Sequence, residues 1–177
     1  MRYLPYIRYA VPVLLVGYVL AQALLSYPLT GTSQLHERTR FLGMLLPAGR
    51  VERVAAGMRL VGEPVYLDVR LPPRAQAYEL EFITAPGSLP LKLGVRQGRD
   101  WSYDFPKVEA TPTSTSGTTY RITVASVPYA EPDHAARVII SAPELSQGSI
   151  TVARVQVRLM REPVSFAWLW RAIKQAL

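Results

Sequence analysis

The densest concentration of polar and aromatic side chains in this 177-residue chain is Asp100-Trp101-Ser102-Tyr103-Asp104-Phe105. Aromatic rings beside carboxylates suit sugar recognition: the C–H faces of a pyranose stack on the rings, and its hydroxyls bond to the carboxylates. Asp100, Trp101, Tyr103 and Asp104 are therefore the candidate glycan-binding residues. The two aspartates, four apart, would also suit Ca²⁺, but the remaining oxygen ligands are not apparent. An architectural reading competes, because Trp101, Tyr103 and Phe105 have the period-two spacing of a strand that buries its aromatic face.

Other chemistries find less support. The chain has two histidines, His36 and His134, far apart in sequence, and no cysteine, so disulfides and thiolate chemistry are excluded and zinc lacks a ligand pair. Serines and aspartates are present, but no nucleophile elbow places a serine for attack. The reading is a non-enzymatic protein with no cofactor and no metal. Net charge is +7, and 17 of the 20 basic residues are arginine. Such a balance favours anionic partners, yet the charges are scattered and no nucleic-acid-reading motif is present, so nucleic acid is not an expected partner.

Two apolar segments flank whatever these residues do. The first, Tyr9 to Leu25, is interrupted only by Gln22 among strongly polar residues. Tyr9, Val11, Leu14, Leu15, Val16, Tyr18, Val19, Leu20, Leu24, Leu25 and Tyr27 are the expected membrane-anchor residues of a single-pass helix over 1–27. As a helix, Tyr9 and Tyr27 stand about 27 Å apart, near the hydrocarbon thickness of a bilayer. Pro12 falls in the first turns of that span, where a missing N–H costs least. Arg2 and Arg8 precede the run and predict an inside N-terminus with the body of the protein extracytoplasmic. A cleaved signal peptide, cut after Ala21-Gln22-Ala23, is the competing reading.

Residues 28–49 read as a connector. Ser33 is placed to cap a short helix whose apolar side is Leu35, Phe41, Leu42 and Leu45, closed by Pro47 and Gly49.

From Arg50 to Arg161 the hydrophobic period becomes two. Val65, Leu67, Val69 and Leu71 alternate with Tyr66, Asp68 and Arg70, and Tyr78, Leu80 and Phe82 with Glu79 and Glu81. Leu91, Leu93 and Val95 continue the pattern, as do Tyr120–Val127, Arg137–Ser141 and Ile150–Leu159. In the last run the spacing slips between Val152 and Val155, which predicts a bulge. Frequent turn signals separate the runs. The expected fold is all-β, an antiparallel β-sandwich or jelly-roll-like domain over 50–161. The outward Glu79 and Glu81 are expected to face Arg70, Lys92 or Arg96 across strands.

The second apolar segment ends the chain. Over 162–177, Ser165 is placed to cap a short amphipathic helix, with Phe166, Leu169, Trp170, Ile173 and Leu177 on one face and Trp168 widening it. These six are candidate partner- or membrane-interface residues, opposite Arg171 and Lys174. Together the features predict a membrane-anchored accessory or structural subunit of a cell-envelope assembly. Its expected partners are the lipid bilayer and a protein of that assembly. A membrane-anchored carbohydrate-binding module is the alternative.

Overall fold

The structure is a computed structural model that describes residues 4–72, 74–96, 102–113, 117–125 and 135–163. Contacts divide the chain into a body, Leu29–Met160, and the flanking residues Met1–Pro28 with Arg161–Leu177.

Among the described residues the flanking part holds one helix, α1, Leu4–Ser26, with Pro12 inside it. The helix starts five residues earlier than the apolar run, so Pro12 sits in its interior rather than in its first turns and removes one backbone hydrogen bond there. Among the described residues no helix is long and apolar enough to cross a membrane. The expected spanning helix is therefore not supported by the described residues. After the helix, the Arg161 guanidinium donates from Nε and Nη2 to the Tyr27 carbonyl oxygen, at 3.2 and 2.8 Å.

The body is an antiparallel two-sheet sandwich. In chain order its strands are β1 (Leu29–Ser33), β2 (Leu42–Leu46), β3 (Val51–Val54), β4 (Gly57–Leu60), β5 (Val65–Arg70) and β6 (Ala75–Thr84). They continue as β7 (Lys92–Arg96), β8 (Tyr103–Asp104), β9 (Glu109–Thr113), β10 (Gly117–Ala125), β11 (Ala135–Ser141) and β12 (Ile150–Arg161). One sheet runs β3-β4-β12-β6-β10-β9, with β1 also on β12; the other runs β2-β5-β11-β7-β8.

The period-two pattern fixes which residues meet between the sheets. Val65, Leu67 and Val69 of β5 lie beside Val138 and Ile140 of β11 and Leu93 and Val95 of β7, all buried. Facing them in the same core are Tyr78, Leu80 and Phe82 of β6, Tyr120, Ile122 and Val124 of β10, and Val155, Val157 and Leu159 of β12. Each large aliphatic or aromatic side chain so buried contributes about 1.5–3 kcal/mol relative to exposure. Among the polar groups of this layer, the Thr84 hydroxyl is satisfied: it accepts from the Thr118 N–H and donates to its carbonyl oxygen.

The sandwich begins at Leu29, well before Arg50, because the connector supplies strands rather than a helix. Ser33 does cap, but it caps a turn: its Oγ accepts from the Leu35 N–H at 2.9 Å. Leu35 takes φ +68° and is buried, a left-handed conformation that ends any helix there. Leu42 and Leu45 point into the core from β2, which pairs with β5. Pairing with a distant strand overrides the local helical spacing.

The slip between Val152 and Val155 has a cause in the sheet. Ile150, Thr151 and Val152 pair with β4, whereas residues 155–159 pair with β1. Ala153 and Arg154 lie where β12 passes from one neighbour to the other.

Candidate functional site

Three surfaces carry the residues singled out by the sequence. On α1, residues 12–20 are exposed without a break, with Val13, Leu14, Leu15, Val16, Val19 and Leu20 each between 56% and 71% exposed. Nine consecutive residues cover two and a half turns, so the apolar exposure runs around the whole helix. Its polar interruption is internally bonded: the Gln22 amide nitrogen donates to the Tyr18 hydroxyl at 2.7 Å. The C-terminal interface candidates, Phe166, Trp168, Leu169, Trp170, Ile173 and Leu177, lie outside the described residues.

The second surface is the outer face of the five-stranded sheet. Asp100 and Trp101 lie outside the described residues, as does His134. Tyr103 and Asp104 form the short edge strand β8, with Tyr103 opposite Arg96 and Asp104 opposite Val95. Tyr103 does not continue into a buried aromatic stripe, because Phe105 is 56% exposed. Its ring stacks against Tyr66 of β5, centroids 6.4 Å apart, and its hydroxyl is shielded from solvent with no hydrogen-bond partner among the described residues. Burial, and then the neighbouring Tyr66, raise the Tyr103 pKa above the ordinary phenol value. Arg137 of β11 reaches over the Tyr66 ring and grips Asp68 through both oxygens, at 2.7 and 3.1 Å. Gly94 leaves room for Phe105: a Cβ there would stand 2.9 Å from the Phe105 ring and 2.8 Å from Ile139 Cγ2.

The third surface is the outer face of the seven-stranded sheet. Here Glu79 and Glu81 of β6 meet Arg121 of β10, and not Arg70, Lys92 or Arg96, which belong to strands of the other sheet. Arg121 is the register partner of Glu81, donating to it from Nε at 2.8 Å and again from Nη2, while Glu79 Oε1 lies 3.4 Å from Nε. The bond to Glu81 raises the Arg121 pKa further. A depression of about 360 Å³ opens between this group and Thr32, Gln156 and Arg158. A second, about 320 Å³, shares Glu81, Arg121 and Gln156 with the first and extends to Glu109 and Arg154. The two together hold three arginines and three glutamates.

The sequence pattern places Glu79 and Glu81 outward with cross-strand cations, and it does not single out Arg121, Arg154, Gln156 or Arg158. Their outward phase was readable from period two, but the strand order that gathers them was not. His36 lies beside Glu37, with Nε2 3.6 Å from Oε1. Among the described residues no group of three histidine, cysteine or acidic side chains is placed to hold a metal ion. Comparison of the chain with protein families, with curated proteins and with solved structures finds no match.

Proposed function

We propose that this protein is a membrane-tethered, non-enzymatic β-sandwich module that serves as an accessory subunit of a cell-envelope assembly. The observation that carries the reading is the unbroken apolar exposure of α1 over residues 12–20. Burying six such aliphatic side chains is worth on the order of 10 kcal/mol, so the helix has a strong drive toward an apolar environment. Lipid meets that demand on every side at once, whereas a groove on a protein covers one stripe. The sequence continues the run from Tyr9 to Leu25 without a charged residue, and the Gln22–Tyr18 bond lowers the cost of placing an amide in hydrocarbon. Arg2 and Arg8 before the run favour an inside N-terminus and an extracytoplasmic body.

Fractionation tests this. The full chain should stay in the membrane pellet through high salt and alkaline carbonate, and a chain lacking residues 1–28 should be released. Protease added to intact cells should digest the body. Release of the intact full chain by salt alone overturns the tether, and a protected body overturns the sidedness.

A further inference from the structure

We infer that the outer face of the seven-stranded sheet is a binding trough for a neutral, hydroxyl-rich polysaccharide segment. This deepens the tethered-module reading by giving the module a ligand, and it places that ligand on a different sheet from Tyr103. The two depressions share Glu81, Arg121 and Gln156, and so adjoin on this face. Their linings together come from β1, β12, β6, β10 and β9, five neighbouring strands. Four inter-strand steps give about 19 Å, long enough for several consecutive sugar rings.

The chemistry of the walls selects the ligand. Three carboxylates accept hydrogen bonds and three guanidinium groups donate them, and vicinal hydroxyls need both. The charges balance, so a phosphate or a uronic acid attracted by the arginines is repelled by Glu79, Glu81 and Glu109. An apolar ligand would strip water from these charged groups without replacing its hydrogen bonds. A neutral polyol avoids both penalties.

The site is also partly pre-arranged. Glu81 and Glu79 hold the Arg121 guanidinium in place, which reduces the ordering cost of a bond to a sugar hydroxyl. Among the described residues, the side chains of Glu109, Arg154, Gln156 and Arg158 make no hydrogen bond or ion pair. Their bonding capacity is turned toward the trough.

The test uses the full chain in phospholipid nanodiscs, since glycosidic detergents would compete. Cellohexaose, mannohexaose and maltohexaose are titrated calorimetrically, with hexagalacturonate and inorganic phosphate as the acidic arms. At least one neutral hexamer should bind at millimolar concentration or below. Gln156→Ala and Arg158→Ala should each weaken it about tenfold, the effect of losing one hydrogen bond of this kind. Gln156 is half-buried and Arg158 exposed, and among the described residues neither side chain has a hydrogen-bond partner, so circular dichroism should be unchanged. Tyr66→Ala, on the other sheet, should bind as the parent does. The proposal is overturned if no neutral hexamer binds, if the trough variants bind as tightly as the parent, or if phosphate or the galacturonate binds in preference. Carbonate fractionation of the same variants reads the tether separately: sugar binding lost with the chain still in the pellet removes the ligand and leaves the anchor.

Discussion

Leu29, the first residue of β1, is the register partner of Leu159, close to the end of β12. The two ends of the sandwich body therefore lie side by side, and β1 completes a face of β12 that β4 covers only as far as Val152. Removing β1 would leave the N–H and C=O groups of residues 155–159 without their strand partner and create an open edge. A chain truncated to begin at Leu29 should stay folded and monomeric. One beginning at Gln34 should melt roughly 10 °C lower or aggregate, as read by thermal circular dichroism and size-exclusion chromatography.

Asp68 and Arg137 are paired across β5 and β11 by two hydrogen bonds, each side chain about 30% exposed. Partial exposure keeps the value of the pair modest, but the two-point geometry and the contact of Arg137 with Tyr66 raise it above an ordinary surface pair. A double-mutant cycle of Asp68→Asn with Arg137→Gln should give a coupling of about 1 kcal/mol. Chemical denaturation of the full chain in mild detergent measures it, and high salt should diminish it only in part.

How much of this was legible in the sequence depended on range. The inward phase of Val65, Leu67 and Val69 or of Tyr78, Leu80 and Phe82 is a local property, and alternation revealed it. The irregularity near Val152 was visible for the same reason. Partner choice is not local: Glu81 meets a cation forty residues later, and nothing within β6 says whether Arg96 or Arg121 will be its neighbour. Leu35, Phe41, Leu42 and Leu45 have a spacing that a helix face and a turn-plus-strand satisfy equally. Pairing of β2 with β5 decided between them. The trough is the extreme case, since its residues come from five strands whose order is purely tertiary.

Gly57 closes the two-residue hairpin between β3 and β4 with φ +136°, a conformation that side chains rarely adopt. A Cβ at this position would stand 2.3 Å from the Val152 carbonyl oxygen and 2.7 Å from the Ala153 Cα, both backbone atoms. Neither can move without disturbing β12 where it passes from β4 to β1. Gly57→Ala should therefore cost about 3 kcal/mol or more. Ala56→Gly in the same turn, at an exposed position, should cost under about 1 kcal/mol. Denaturation midpoints of the two variants against the parent test the difference.

Tyr103 offers a titration that reports on the five-stranded face. Its phenol is raised above its ordinary value of 10.0, first by burial and then by Tyr66. The folded state thus holds this proton at pH values where the unfolded chain has released it. The associated stability is fully present below pH 10 and is lost as pH rises through the folded value. Absorbance titration of phenolate should show a late-ionising component that Tyr103→Phe removes. The variant should also lose less stability than the parent between pH 10 and 11.5, because it has no phenol left to ionise on unfolding. Tyr66→Phe should move the late component back toward the ordinary value without abolishing it, since Tyr66 is the smaller cause and burial the larger. A titration in which Tyr103→Phe removes an early-ionising component would mean that the ring is open to water and that the stack with Tyr66 does not hold.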